Sequence, residues 1–216
     1  LLCPPPYPMA NDYCTLSEIK AEMPEAGLSG TTDYDAALTQ AITDASRLID
    51  DEVARWPGFF YPSTDDQARY FDGSGELDLQ TDEIVSITSV SVAEQGDITQ
   101  LTDWAATDYI TYPLNHTAKS KPITRLSINR FGNTDKAAWY EFPKAVKIVG
   151  IFGYSATPPA QIARACRIQA IRYYMRAKQA WQDAGAAPEL GQMVYIRRLD
   201  PDVQEIIRRW QIENMI

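Results

Sequence analysis

The chain has 216 residues, is 45% hydrophobic and carries a formal net charge of -9, which suits one well-buried soluble domain with room for arms. No apolar run approaches the roughly 18 residues of a membrane span, and Leu1-Leu2 gives way at once to Cys3 and Pro4-Pro5-Pro6, so no membrane contact and no secretory signal are expected, and the cytoplasm is the expected place of work. Residues 1–93 hold 4 Lys/Arg against 17 Asp/Glu while residues 160–216 hold 9 against 6, so the first half lacks the basic patch that a tight grip on nucleic-acid phosphates requires.

The first dozen residues, LLCPPPYPMAND, read as an extended polyproline-type arm over 1–12. Thr15-Leu16-Ser17-Glu18 has the spacing of a capping box, in which hydroxyl and carboxylate satisfy each other's backbone donors, and predicts a short helix over 15–23 stopped by Pro24. Thr32, with Asp33 and Asp35 behind it, is expected to start a second helix, with the acids in the first turn where the helix dipole favours them. Along it Leu38, Ala41, Ile42, Ala45, Leu48, Ile49, Val53 and Trp56 recur at three- and four-residue steps, which predicts a one-sided helix over 33–56. Pro57-Gly58 ends it.

From Gln67 to Tyr154 the period changes to two. Strands are expected at 68–72 and 76–79 around a Gly73-Ser74-Gly75 hairpin turn, then at 84–92, 109–112, 123–129 and 145–152. A further break at Gly153-Tyr154 leads to Pro158-Pro159, where a missing N–H costs nothing at the start of a helix expected over 159–182. On this third helix Ile162, Cys166, Ala170, Tyr173, Ala177 and Trp181 share one side, and Ile168, Ile171 and Met175 lie almost opposite. Arg164, Arg167, Arg172, Arg176 and Lys178 flank that second stripe. Two readings stand: an interface edged by arginines, or a helix buried all round with its arginines snorkelling.

Ala184-Gly185-Ala186-Ala187-Pro188 breaks the helix, and a polar loop follows. Asp200-Pro201-Asp202 then starts a short helix in a docking segment, 200–216, with Val203, Ile206, Ile207 and Trp210 on one side. So short a helix does not hold in water alone and must dock on its own body or on a partner. Burying those four side chains is worth about 1.5–3 kcal/mol each before ordering costs. The fold class is therefore α+β: helices at both ends of the chain around an antiparallel β region over 67–154.

Little in the chain points to catalysis. Asp50-Asp51 and Asp65-Asp66 are paired acids, but helix neighbours point about 100° apart and do not face one bond. Cys3, Cys14 and Cys166 have no metal-ligand spacing and read as inert thiols, and His116, the single histidine, reads as a surface residue in a polar loop. No catalytic residue, metal or cofactor is expected. A small hydrolase using the acidic pairs and a nucleic-acid binder using the arginine-rich third helix are the competing classes.

The order of elements carries a resemblance. Tyr13 to Lys20 opening a short helix, Ala45 to Asp50 inside a long one, Ile84 to Val92, Asp108-Tyr109-Ile110, Val149 to Tyr154, Pro158-Pro159 with Ile162 and Ala165, and Leu199 to Val203 together resemble bacteriophage head-tail connector (adaptor, or head-completion) proteins. The likeness spans residues 13–210, and by it 13–199 is the connector core. It implies a non-enzymatic ring of about twelve copies with closed symmetry, under the portal vertex of a capsid in a virion assembled in the host cytoplasm. The ring joins the portal protein to the next neck or tail protein and lets genomic DNA pass without sequence-specific binding. By the same likeness Arg197, Arg198, Val203, Ile206, Ile207, Arg208, Arg209 and Trp210 are portal-docking residues. Arg164, Arg167, Ile168, Ile171, Arg172, Met175 and Arg176 form a subunit seam, and Asp50, Asp51, Asp65 and Asp66 an acidic channel or tail-facing surface. A stopper or tail terminator is the alternative within the same particle.

Overall fold

The computed structural model describes residues 11–24, 31–93, 97–131, 136–178, 184–187, 192–195 and 199–211. The expected arm therefore lies outside the described residues except for Asn11 and Asp12. The fold is α+β, with helices toward both ends of the chain and a six-stranded antiparallel sheet. Two compact units divide it: a sheet unit over 59–157, and a helical unit made of 11–58 with 158–216.

In the sheet unit the strands are β1 (Gln67–Phe71), β2 (Asp78–Val92), β3 (Thr102–Trp104), β4 (Tyr109–Tyr112), β5 (Ile123–Ile128) and β6 (Val146–Phe152). Their order is β1-β6-β2-β5-β4, with β3 also on β2. The expected strands at 76–79 and 84–92 are one long strand. Along one edge β2 pairs with β6, and along the other with β5 at Asp78–Ile84 and with β3 at Val90–Val92. Its register shifts between Ile84 and Ser86 and between Ile87 and Ser89, extra residues that let so long a strand bend. Gly150 sits opposite this stretch, where an added Cβ would come within 2.2 Å of the Ser86 carbonyl oxygen, so the bend needs a residue without a side chain.

The expected hairpin at Gly73-Ser74-Gly75 is not one. β1 and β2 flank β6 rather than pairing with each other, and residues 72–77 are a crossover that passes the start of β6 alongside residues 139–142. The glycines serve close approach. Gly73 N–H donates to Phe142 O at 3.1 Å and Gly75 N–H to Trp139 O at 2.7 Å, and a Cβ on Gly73 would lie 1.7 Å from Tyr140 O. Trp139, fully buried, stacks on Trp104 with centroids 4.7 Å apart and donates its indole N–H to Leu77 O at 2.9 Å. Alternate residues of β6 are buried from Val146 to Phe152, as a half-covered strand requires. The unit's two ends also meet, through Tyr154 N–H to Phe59 O at 2.7 Å.

The helical unit contains α1 (Leu16–Glu22), α2 (Asp35–Glu52), α3 (Ala160–Lys178) and α4 (Pro201–Arg208). It also holds a short antiparallel pair, β7 (Ala184–Ala187) with β8 (Gln192–Tyr195), in the region expected to be a loop. The capping box of α1 is formed: Glu18 N–H donates to Thr15 Oγ1 at 3.3 Å and Thr15 N–H to Glu18 Oε2 at 2.7 Å. Asp200 caps α4 by accepting from Asp202 N–H at 3.0 Å, with Pro201 in the first turn. The cap of α2 differs from expectation: Tyr34 occupies the position and makes no side-chain cap bond. α2 packs on α3, and α1 touches both.

Candidate assembly surfaces of the helical unit

The residues just before α1 are laid along α2, one bond at a time. Arg47 donates to Asn11 O at 3.0 Å, Thr43 Oγ1 to Asp12 Oδ2 at 2.9 Å, and Tyr13 N–H to Ser46 Oγ at 3.0 Å. The Tyr13 hydroxyl donates to Asp50 Oδ1, while Asp50 Oδ2 accepts from Gly58 N–H at 3.0 Å and faces Arg47 Nε at 3.2 Å. Burial pushes the Asp50 carboxyl up to about 6, although the Tyr13 hydroxyl, the Gly58 N–H and the Arg47 guanidinium all pull the other way.

This overturns one part of the acidic surface. Asp50 is 1% exposed and cannot face a channel or a partner, because its oxygens are spent on binding residues 13 and 58 to α2. Its neighbour Asp51 is exposed, as are Asp65 and Asp66 in the sheet unit. Asp65 belongs to a local turn with Ser63, whose hydroxyl donates to it at 3.1 Å. Among the described residues no group of three or more His, Cys, Asp and Glu converges as a metal site, and no helix is long and apolar enough to cross a membrane. His116 is half-buried.

On α3 the buried side is Ile162, Ala165, Cys166, Gln169, Ala170 and Tyr174. Gln169 and Tyr174 replace the expected Tyr173 and Ala177, and Trp181 lies outside the described residues. The second stripe is left partly uncovered: Ile168 and Ile171 are half-buried and Met175 is 40% exposed, so the helix is not buried all round within its own unit. Its arginines divide by task. Arg167 reaches back to α1, with Nε 2.5 Å from Glu22 Oε1 and a guanidinium nitrogen 3.7 Å from Glu18. Arg172 pairs with Asp200 at 3.2 Å. Arg164 is exposed and Arg176 half-buried. Two expected seam arginines thus hold α1 and the start of α4 in place.

α4 docks on its own body. Val203 and Ile207 are fully buried, and α4 packs on α3, so these two cannot be portal contacts as well. Asp200 explains the placement, since its N–H donates to the buried Gln169 Oε1 at 3.3 Å while its carboxylate takes Arg172. Ile206 and Trp210 are half-buried, and Arg208 and Arg209 exposed. Beside them Gln161, Arg164, Asp202, Glu205, Ile206 and Arg209 line a shallow groove between α3 and α4. Arg197 and Arg198 lie outside the described residues.

The polar row Tyr13–Ser46–Asp50 was missed from the sequence, and so was Gln169. A signal for the first was available: Ser46 and Asp50 are four residues apart and share the side of α2 that carries Ile42 and Val53. For Gln169 there was none, since its partner, the backbone of Asp200, is remote.

The chain shares this fold with solved components of phage-like particles. One, from the virion of a native gene transfer agent particle, has a TM-score of 0.55 and 18% sequence identity, with 97% of this chain and 98% of that one covered. Another, from the neck of an empty gene transfer agent particle computed with C6 symmetry, has a TM-score of 0.53 and 16% identity over the same shares. No protein-family model and no curated protein matches the chain. At such identities the likeness is one of fold.

Proposed function

We propose that this chain is a structural, non-enzymatic protein of the neck of a phage-like particle: one subunit of a ring that joins the portal to the next neck or tail protein and continues the DNA passage. The carrying observation is the end-to-end fold likeness to a chain from a gene transfer agent neck, with almost all of both chains covered. The C6 symmetry with which that neck was computed supports a ring, and about twelve copies is a multiple of six. The apolar stripe Ile168, Ile171 and Met175, open at one end and edged by the exposed Arg164, supports a subunit seam on α3. Exposed Asp51, Asp65 and Asp66 suit a surface past which DNA phosphate slides without sticking. For the portal face the candidates that remain are Ile206, Arg208, Arg209 and Trp210, with Arg197 and Arg198 as further rim charges.

Mixing the purified chain with the portal of its own particle should give rings under the portal by electron microscopy. Met175→Glu places a charge in the open stripe and is expected to abolish rings while leaving the far-ultraviolet dichroism and melting temperature of the free chain unchanged. Rings that form normally with Glu at this position would remove the α3 seam, and a chain that unfolds would make the stripe internal core.

Charge reversal at the end of α4 tests the portal face separately. Arg208→Glu with Arg209→Glu should weaken portal docking by about tenfold or more, because it replaces two positive charges of the proposed face with two negative ones. Docking of unchanged affinity would move the portal face elsewhere.

A further inference from the structure

Two of the three cysteines meet. Cys14, the residue before the Thr15 cap, and Cys166, in the middle of α3, are 152 positions apart in sequence, yet their sulfurs lie 3.1 Å from each other. Both are free thiols, 6% and 0% exposed. Their separation is about 1 Å more than a disulfide bond of about 2.05 Å. No third ligand joins them, since among the described residues there is no group of three or more His, Cys, Asp and Glu able to hold a metal.

We propose that Cys14 and Cys166 form a redox couple that closes a disulfide between the segment leading into α1 and helix α3. The surroundings suit the chemistry. Ser46 Oγ lies 3.3 Å from Cys166 Sγ and 2.9 Å from Ile42 O, so its one proton can serve the carbonyl when Cys166 is a thiol and the sulfur when it is a thiolate. Hydrogen bonding from the Cys14 thiol holds the Cys166 thiol below its ordinary value against the effect of burial, while the same bond and burial push Cys14 up. The first proton of the pair therefore comes from Cys166, and the second is held back.

Cys14 is the entry point, because it precedes the short helix α1 and belongs to the segment that Arg47, Thr43, Ser46 and Asp50 lay along α2, whereas Cys166 is fixed in the middle of α3. When that segment lifts, Cys14 leaves the bond and the burial that hold its thiol up, and its thiolate attacks a small-molecule disulfide, RSSR. The R–S–S–R bond breaks, a Cys14–S–S–R bond forms, and one RSH leaves with the Cys14 proton. On closing, the Cys166 thiolate attacks the Cys14 sulfur and expels the second RSH, which carries the Cys166 proton. Two protein thiols are oxidised and one RSSR is reduced to two RSH. Disulfides are rare in the cytosol and persist on virion surfaces, so the couple would stay open during assembly and close after release. That timing rests on the neck reading; the bond does not.

The full chain carrying Cys3→Ser leaves only this pair. After equilibration with oxidised glutathione its intact mass should fall by about 2 Da with no adduct retained, and its thiols should go from two to none and return with dithiothreitol. Non-reducing peptide mapping of the unsubstituted chain should find the Cys14 and Cys166 peptides joined, and the oxidised form should melt several degrees higher than the reduced one. An unchanged mass, persistent glutathione adducts, or cross-linked dimers in place of the internal bond would overturn the proposal. None of these readouts depends on ring formation, so failure of the neck reading would be seen separately.

Discussion

Asp50→Ala is expected to destabilise the chain by about 3–5 kcal/mol, because it takes the acceptor from two buried donors and a partner from Arg47. The donors are the hydroxyl of Tyr13 and the N–H of Gly58. Asp50→Asn keeps the shape and one acceptor oxygen and should cost much less near pH 4. The pH dependence distinguishes the two forms of the side chain. In the folded chain the carboxyl stands at about 6, above its ordinary 3.8, so folding tightens its hold on the proton. The part of its contribution that depends on the proton is complete below pH 3.8 and is lost as pH rises through about 6. The stability of the Asp chain relative to the Asn chain should therefore fall by roughly 2–4 kcal/mol between pH 4 and pH 8. Urea unfolding of both chains at the two pH values measures it. A constant difference, or one that grows with pH, would mean that Asp50 is held ionised by Arg47 and the other donors.

Gly73→Ala should be nearly as damaging, for a reason unrelated to charge. The added methyl group would meet the carbonyl oxygen of Tyr140 at 1.7 Å, and a backbone atom cannot step aside as the end of a side chain can. The 139–142 segment would have to move, disturbing the Trp139 indole bond to Leu77 O and the stack on Trp104. Overpacking of this kind costs about 3 kcal/mol, or roughly 6–12 °C in melting temperature for a chain of this size. Calorimetry reads the shift directly. A melting temperature within a degree or so of the unsubstituted chain would show that the crossover is looser than its contacts imply.

Both effects sit where sequence reading and structure part company. Local grammar was legible: the Thr15/Glu18 box, the Asp200-Pro201 start of α4, and strands β4, β5 and β6 within a residue of their ends. Each is decided by neighbours a few positions away. Pairing is not, so nothing near Gly73 says that β1 will lie against β6, some eighty residues later. The same limit applies to charge. Asp50 and Asp51 are chemically alike in the sequence, and helix geometry sends one inward to Tyr13 and the other to solvent. The arginines of α3 looked alike too, until Glu18, Glu22 and Asp200 claimed two of them. What survives as candidate interface is what stays exposed, such as Arg164 and Met175 on α3 and Arg208 on α4.

The division of the chain into units has a consequence for the order of its synthesis. Among the described residues the sheet unit is one continuous stretch, with Tyr154 tied back to Phe59, whereas α2 packs on α3, and α3 lies beyond that stretch. On a ribosome the sheet has all its strands once residue 152 has emerged, while the first helices wait with their apolar sides uncovered until the last quarter of the chain arrives. The first part made is therefore not the first part finished. Residues 11–58 are the stretch that depends longest on being kept from premature association, and they also hold most of the bonds that tie down the segment leading into α1.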